Sequence, residues 1–477
     1  MTIIRVENLS VHVGSRTLVA PVSFALGEGE RLTILGQTGS GKSLLAQAIM
    51  GNLPDSLVSR GHVWLFGSET PARSRRQWWG RQLSMLPQEP WNALDPLMTS
   101  VNQLAETYRF VCGRGALEAR QQAQQTLAEL GLKASAEKRV DQLSGGMAQR
   151  VAIACAMAGG APLLLADEPT KGLDVSRRDQ VVRQLLVQSA KGALLTITHD
   201  VEVAKQIGGQ LMVVKEGQIV EQGRCETVLS SPQHTFTREL MAADPSQWPD
   251  RPAQQIDQSP VIEARGLSVG HGKRALLRDL SLTVHAGEVI GVVGDSGCGK
   301  STLGDTLLGV RAPLAGQVTR LKQTPAHRWQ KLYQDPTAAV SQAVTLRVLL
   351  QDVVAKYGVS SGVVKSWMTR LALTDELLDR RADGVSGGEL QRFCILRAMI
   401  LDPVFLFADE PTSRLDPMTA RDVTHWLVNI ARETRCAVML VSHHPELIEK
   451  SCDRVISLDR RLCGAHGKIA ADQLVMS

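Results

Sequence analysis

Apolar and polar residues alternate in the same way near the start of each half of the chain. The alternation covers residues 3–13 (IIRVENLSVHV) and residues 261–271 (VIEARGLSVGH). A continuous apolar run follows in each half, RLTILG in the first and VIGVVG in the second. Alternation is typical of strands with one buried face, and a continuous β-branched run is typical of a strand buried on both faces. The pattern therefore predicts strands that lead into a buried central strand, twice.

A helical pattern lies further along each half. Residues 116–132 (ALEARQQAQQTLAELGL) and residues 361–378 (SGVVKSWMTRLALTDELL) carry their apolar side chains at helical spacing. Each half is thus predicted to combine an α/β core with a mainly helical insertion.

Four motifs occur twice in the same order. They are GQTGSGKS and GDSGCGKS, LSGGMAQR and VSGGELQR, LLLADEPT and FLFADEPT, and ITHD and VSHH. Their nearly constant spacing indicates a duplicated domain. We expect a first domain over residues 1–242 and a second over residues 261–477. Residues 243–260, rich in Pro, Gln and Asp, are expected to form an exposed linker.

Composition excludes some classes of protein and leaves others open. The 477 residues include 53 basic and 48 acidic ones, for a net charge of +5, and no block of like charges. We therefore expect no nucleic-acid partner. The chain has no apolar run of ~18 residues and no signal peptide, so other chains would span any membrane involved. The eight cysteines form no CxxC pair, which argues against a zinc or redox motif.

The glycine-rich segments fit the phosphate-binding pattern GxxxxGK[ST] and follow the apolar runs. Their glycines let backbone N–H groups face the phosphates, and a helix N-terminus follows each segment. The lysine is expected to reach the β- and γ-phosphates and the serine hydroxyl to bind Mg²⁺. These residues are Gly36, Gly39, Gly41, Lys42 and Ser43 in the first half, and Gly294, Gly297, Gly299, Lys300 and Ser301 in the second.

An Asp-Glu pair ends one apolar strand in each half. Asp167 and Asp409 are placed to hold Mg²⁺ through water, near the phosphate loop. Glu168 and Glu410 follow directly and can polarise an attacking water. The SGG tripeptides each precede a helix, so they form two further helix N-termini suited to a phosphate.

In order and content, these motifs resemble those of the ATP-binding-cassette ATPases, over nearly the whole chain. The resemblance implies two P-loop NTPase domains, each with an α/β core, an antiparallel β subdomain and a helical insertion. It implies ATP and Mg²⁺ as ligands, bound between the phosphate loop of one half and the signature of the other. Lys42 would share a site with Ser386, Gly387 and Gly388, and Lys300 with Ser144, Gly145 and Gly146.

Other positions take roles from the same resemblance. Gln88 and Gln334 would sense Mg²⁺ and contact the membrane partner, and His199 and His443 would contact the γ-phosphate. The D-loop aspartates would be Asp174 and Asp416. The chain departs from the family where an aromatic residue often stacks on adenine, because Val13 and His271 stand there.

Three stretches resemble the dipeptide, oligopeptide and nickel import branch of the family. They are LPQEPWNALDPLMTSVNQLAE, its looser copy YQDPTAAVSQAVTLRVLLQD, and SSPQHTFTRELMAADP. This likeness implies two membrane-spanning permease subunits, an indirect solute-binding protein, and a peripheral position on the cytoplasmic face of the inner membrane. The sequence does not encode the cargo, whether peptide, nickel or metal chelate. Two alternatives stay open: a twin-cassette ATPase that acts on ribosomes, and one attached to a metabolic enzyme complex.

Cys298 stands inside the second phosphate loop, where the first loop has Ser40. A thiol at a helix N-terminus beside a lysine is expected to favour its thiolate form. We therefore expect maleimide to react there and MgATP to protect the site.

Overall fold

A computed structural model of the chain describes residues 1–88, 93–143, 145–171, 173, 175–250, 256, 259–272, 274–295 and 297–458. The chain divides into two compact units, Met1–Met241 and Ala242–Ser477. Each unit has its own sheets and its own hydrophobic core, and is described below by itself.

Two sheets form the strand framework of the first unit. An antiparallel sheet has the order β2-β1-β4-β5, and a six-stranded sheet has the order β10-β9-β3-β8-β7-β6. In the larger sheet only β10 runs antiparallel to its neighbour. The strands are β1 (Thr2–Val13), β2 (Arg16–Gly27), β3 (Arg31–Gly36), β4 (Val58–Leu65), β5 (Ser68–Glu69), β6 (Leu83–Leu86), β7 (Leu163–Asp167), β8 (Ala193–Thr198), β9 (Gln210–Lys215) and β10 (Gln218–Arg224).

The helices of the first unit pack on the six-stranded sheet and form the insertion between β6 and β7. They are α1 (Lys42–Met50), α2 (Ser100–Glu106), α3 (Ala116–Glu129), α4 (Gly145–Ala158), α5 (Val175–Ser189), α6 (Val201–Ile207), α7 (Cys225–Ser230) and α8 (Thr235–Ala242). Short 3-10 turns cover Ala72–Trp78, Lys133–Ser135 and Val140–Gln142, and a π-helical turn, Thr107–Val111, extends α2.

Within its described residues, the second unit repeats this plan with fewer strands. Its antiparallel sheet has the order β12-β11-β14, and its parallel sheet has the order β15-β16-β17-β13-β18. The strands are β11 (Pro260–His271), β12 (Arg274–His285), β13 (Val289–Val293), β14 (Ala315–Arg320), β15 (Trp329–Leu332), β16 (Phe405–Asp409), β17 (Ala437–Val441) and β18 (Arg454–Ser457).

The helices of the second unit follow the same order. They are α9 (Lys300–Leu308), α10 (Leu346–Tyr357), α11 (Ser361–Arg370), α12 (Asp375–Leu378), α13 (Gly387–Met399), α14 (Pro417–Thr434) and α15 (Pro445–Ser451). Short 3-10 turns cover Pro245–Gln247, Ala326–Arg328, Pro336–Ala339 and Ala382–Gly384.

Continuous apolar sequence explains the central strands. Every residue of β7, β8, β16 and β17 is buried. Strands of a parallel sheet covered on both faces need apolar side chains at every position, and these runs supply them. The predicted α/β fold, with its antiparallel sheet and helical insertion in each half, is confirmed.

The segment between the two repeats is not exposed throughout. Trp248 is only 7% exposed and belongs to the hydrophobic core of the second unit, where its ring lies 5.2 Å from that of His425. Asp250 forms an ion pair with Lys450. The expectation of an exposed linker is therefore wrong at Trp248, because an indole buries enough apolar area to hold a polar segment against the core. Residues 251–255, 257 and 258 lie outside the described residues.

Among the residues that the structure describes, no helix is both long enough and apolar enough to cross a membrane.

Candidate nucleotide sites

The first phosphate loop lies between β3 and α1. Gly39 and Gly41 have positive φ angles of 82° and 89°, and Gly41 is the N-cap of α1. A Cβ atom on Gly36 would lie 2.2 Å from the carbonyl oxygen of Val214. Lys42 is buried, and its Nζ donates to the carbonyl oxygens of Gly36 and Gln37, each at 2.7 Å. The loop is therefore shaped to point N–H groups inward, with an ammonium held at its centre.

The second phosphate loop has the same construction between β13 and α9. Gly297 and Gly299 have φ angles of 76° and 111°. Nζ of Lys300 donates to the carbonyl oxygens of Gly294, at 2.6 Å, and Asp295, at 3.2 Å. The same atom lies 3.8 Å from Oε1 of Glu410. The loop lysine and the Asp-Glu pair of this unit thus belong to one site.

Asp167 ends β7 beside the first loop and hydrogen bonds to Ser43. Burial raises the pKa of Asp167 to about 6, although the Ser43 hydrogen bond and Lys42 oppose the rise. Its Oδ1 is buried and has no hydrogen-bond partner among the described residues. A buried carboxylate oxygen without a hydrogen-bond partner destabilises the fold unless a polar group or an ion contacts it. A hydrated divalent cation fits this position.

Asp409 occupies the matching place at the end of β16. Burial raises its pKa, while a hydrogen bond to Ser301 and the charge of Lys331 oppose the rise. Nζ of Lys331 lies 3.7 Å from Oδ2 of Asp409. Each carboxylate is therefore bonded to the serine of its own phosphate loop, but the cations beside the two carboxylates differ.

Glu168 and His199 form a buried pair in the first unit. Nδ1 of His199 lies 2.8 Å from Oε1 of Glu168. Burial alone would raise the pKa of Glu168, but the charge and hydrogen bond of His199 outweigh it and hold the pKa below its ordinary value. The carboxylate therefore stays ionised, as a group that polarises water must.

Glu410 has the corresponding partners in the second unit and one more. Nδ1 of His443 lies 3.1 Å from its Oε1, and Nε2 of Gln334 donates to its Oε2 at 2.7 Å. Burial again opposes ionisation, yet the hydrogen bond and charge of His443 lower the pKa of Glu410. Glu168 and Glu410 also share positive φ angles, 48° and 47°, which are uncommon for a residue other than glycine.

The signature segment of the second unit begins α13. Ser386 is the N-cap, and its Oγ accepts from the backbone N–H of Glu389, whose carboxylate accepts from Ser386 in return. Gly387 and Gly388 form the first turn. A Cβ atom on Gly388 would lie 2.7 Å from Cγ2 of Thr419. In the first unit, Gly145 and Gly146 begin α4, and Ser144 lies outside the described residues.

The family model described as ABC transporter matches residues 19–171 and 277–413, so it covers both phosphate loops and both Asp-Glu pairs. This chain belongs to the ABC transporter family. As a member it binds ATP and is an ATPase, and both predictions from the sequence are confirmed.

Curated relatives of the ABC family match nearly the whole chain. The ABC transporter ATP-binding protein YejF of Escherichia coli is 31% identical and covers 96% of this chain and 94% of its own. The peptidoglycan transport ATP-binding protein YejF of Agrobacterium fabrum is 32% identical, with coverages of 98% and 92%. The glutathione import ATP-binding protein GsiA of Salmonella typhi is 31% identical, with coverages of 92% and 81%.

Solved structures confirm the fold. The RNase-L inhibitor superposes with a TM-score of 0.64 at 23% identity, covering 94% of this chain and 87% of its own. The archaeal ribosome recycling factor aABCE1 superposes with a TM-score of 0.66 at 21% identity, with the same coverages. At this level of identity the likeness concerns the fold alone.

The structure places most of the remaining ABC motif residues. Gln88 follows β6 as Gln334 follows β15, and among the described contacts only Gln334 bonds to the glutamate of its own unit, Glu410. Asp416 is the buried N-cap of α14 and accepts from the backbone N–H of Thr419 at 3.2 Å. Asp174 lies outside the described residues. Val13 and His271 end β1 and β11, both exposed.

Sequence reasoning missed Lys331, because it matches no motif. Its Nζ lies 2.7 Å from Oδ1 of Asp305 as well as near Asp409. Sequence reasoning also missed the ion pair between Arg414 and Asp335, next to Gln334. Nη1 of Arg414 lies 2.8 Å from Oδ2 of Asp335. Comparison of the two halves could have found Lys331, since the first half has Met85 at that place in its strand.

The expected reactivity of Cys298 is wrong. Its side chain is 3% exposed and packs in the hydrophobic core of the second unit. A Cβ atom on Gly294 would lie 3.0 Å from its Sγ, so the sulfur packs closely against the loop backbone. A thiol packed in this way is shielded from solvent reagents, whatever its distance from the phosphates.

Proposed function

We propose that this chain hydrolyses ATP to drive the import of a small peptide-containing solute through a membrane. The observation that carries the proposal is the complete set of groups in each unit. Each has a loop lysine, a serine-bonded aspartate and a glutamate paired with a histidine. Both units are therefore equipped for hydrolysis.

Mg²⁺ is the metal that these sites suit. Ser43 and Asp167 would hold it in the first site, with Gln88, and Ser301, Asp409 and Gln334 in the second. When bound, the ion would neutralise charge on the transferring phosphate. Glu168 and Glu410 would then polarise the attacking water, and His199 and His443 would contact the γ-phosphate. The pairing of each phosphate loop with the signature of the other half stays a prediction.

The cargo and the partners are inferred from the relatives. One is named as a glutathione import protein and another as a peptidoglycan transport protein. Neither name mentions nickel, so a peptide-containing solute is favoured over a metal. Two membrane-spanning permeases would be direct partners, with a solute-binding protein acting indirectly. The chain would then lie on the cytoplasmic face of the membrane.

Site-directed crosslinking in native membranes tests this function. A cysteine at exposed Ala338, close behind Gln334, is expected to crosslink to a permease, because the segment after this glutamine is the proposed docking region. Cysteine at exposed Ala315, in β14, is the matched control. Cys112 and Cys463 are changed to Ser in both chains to remove background. Crosslinks from position 338 to ribosomal proteins, and none to permeases, would overturn the proposal.

A second experiment measures ATP-dependent uptake. Membrane vesicles with the intact system should accumulate a labelled peptide in the presence of ATP, and vesicles with the Glu410→Gln chain should not. Crosslinking to permeases combined with uptake of a metal ion but no peptide would contradict the proposed cargo alone.

A further inference from the structure

A second lysine, in addition to Lys300, lies beside the second site, and the first unit has Met85 at the matching position. Lys331 is on β15, next to β16, and its side chain is 13% exposed. Its Nζ lies 2.7 Å from Oδ1 of Asp305, on α9, and 3.7 Å from Oδ2 of Asp409. The ammonium is thus held between two carboxylates, one of which is proposed to face the metal.

The first unit has uncharged residues at both positions of this ion pair. β6 pairs with β7 as β15 pairs with β16, and Met85 lies opposite Leu165 where Lys331 lies opposite Phe407. Asp305 is five residues beyond the loop lysine, and the residue five beyond Lys42 is Gln47. One difference between the two halves is therefore a partly buried ion pair beside the second site.

The two charges of the Lys331–Asp305 ion pair should have opposite effects on a cation bound at Asp409. The ammonium lies within 3.7 Å of Asp409 and competes for the negative charge of that carboxylate with any cation bound there. The carboxylate of Asp305 offsets part of that effect because it neutralises the ammonium. Between unit charges about 4 Å apart, such an interaction changes an affinity about fivefold in a water-like dielectric and by more in a drier site.

We propose that Lys331 lowers the Mg²⁺ affinity of the second nucleotide site and that Asp305 limits this effect. The two sites would then fill with Mg²⁺ at different free concentrations, the second requiring more. This inference rests on the proposed function of Ser301 and Asp409 as the residues that hold the metal.

Mn²⁺ binding measured by electron paramagnetic resonance tests the proposal in the full chain. Lys42→Ala removes nucleotide from the first site, and AMP-PNP supplies a nucleotide that is not hydrolysed. Lys331→Met should tighten Mn²⁺ binding roughly fivefold, and Asp305→Asn should weaken it by about the same factor. Lys331→Arg keeps the charge and should stay within about twofold of the parent. If Lys331→Met fails to fold, Lys331→Gln replaces it.

The opposite signs separate an electrostatic role from a structural one. Lys331→Met and Asp305→Asn both break the same ion pair. If that pair only stabilises the packing of β15 against α9, the two substitutions should change the Mn²⁺ affinity in the same direction, or not at all. That result would overturn the proposal. As a reciprocal control, Met85→Lys with Gln47→Asp in a Lys300→Ala chain should weaken Mn²⁺ binding at the first site.

A separate control addresses the underlying site. Ser301→Ala in the Lys42→Ala chain should weaken nucleotide-dependent Mn²⁺ binding. If Mn²⁺ binding is absent or indifferent to this change, the assignment of the second metal site is wrong and the role of Lys331 falls with it. If Ser301→Ala weakens binding and the charge series is flat, only the role of Lys331 is refuted.

Discussion

The amide of Gln334 donates to the carboxylate of Glu410, with Nε2 and Oε2 2.7 Å apart. Since His443 contacts the other oxygen of Glu410, both carboxylate oxygens have a polar partner. In the first unit, Nδ1 of His199 contacts one oxygen of Glu168. A carboxylate held from both sides is oriented as well as ionised, which suits a group that must meet a water molecule in one position.

Neutralising either glutamate should slow ATP hydrolysis. Glu168→Gln and Glu410→Gln keep the shape of the side chain but remove the charge that polarises water. Each is expected to lower turnover by about 100-fold or more if both sites must act, measured as phosphate release. MgATP binding should persist in both variants, which shows that the sites are intact. Full activity in one variant would mean that its site is not catalytic.

Gly304 in α9 should resist substitution because of Phe407. A Cβ atom at position 304 would lie 2.1 Å from the buried Phe407 ring, whereas the first unit pairs Ala46 with Leu165 at the corresponding positions. Gly304→Ala should destabilise the second unit by about 2 kcal/mol despite the better helix propensity of alanine. The loss of stability is measured by denaturant unfolding that is monitored through hydrogen exchange in α9 and β16.

The matching residues of the first unit, Ala46 and Leu165, indicate which second substitution should compensate for Gly304→Ala. Gly304→Ala combined with Phe407→Leu should recover most of the stability, because the smaller side chain makes room for the methyl group. If the double variant is no more stable than Gly304→Ala alone, the steric explanation is wrong.

The end of the first domain, around α8, should be sensitive to acid through Glu221. Its carboxylate accepts from the backbone N–H groups of Gln233, at 2.8 Å, and His234, at 3.1 Å, just before α8. Burial opposes ionisation, but these hydrogen bonds prevail and lower the pKa of Glu221 below 4.5. The stabilisation is therefore fully present above pH 4.5 and is lost as the pH falls through the lowered pKa.

Hydrogen exchange of residues 233–242 checks this dependence. Glu221→Gln should speed exchange several-fold at pH 6, because bonds to a charged acceptor become bonds to a neutral one. At a pH well below the lowered pKa of Glu221, the parent and the variant should converge. Glu239→Gln removes an exposed charge from the same helix and should leave exchange unchanged at both pH values. A difference that persists undiminished in acid would refute the role of Glu221.

Maleimide should label Cys112 well before Cys298. Cys112 is exposed, whereas Cys298 is packed in the core of the second unit. N-ethylmaleimide labelling, followed for each cysteine by mass spectrometry, should show a slow reaction at position 298 with or without MgATP. Cys112→Ser should remove the fast reaction at this position without changing ATP hydrolysis. Comparable rates at the two cysteines would contradict the burial of Cys298.

The sequence alone determined the duplication, the fold and the identity of the motif residues. Phosphate loops, strand-ending carboxylates and continuous apolar strands are local features, because each depends on a few adjacent residues and their backbone. The carboxyl ends of parallel strands meet at one edge of a sheet, so the order of the motifs was enough to predict that Lys300, Ser301, Asp409 and Glu410 come together.

Only the tertiary structure decided which way side chains pack and which charges meet. Cys298 and Trp248 are buried by residues far from them along the chain, and no local pattern marks either as core. The ammonium of Lys331 reaches Asp305 and Asp409 only because β15 lies beside β16 and α9 packs on that strand. Burial and charge pairing are set by such neighbours, which a reading of consecutive residues does not contain.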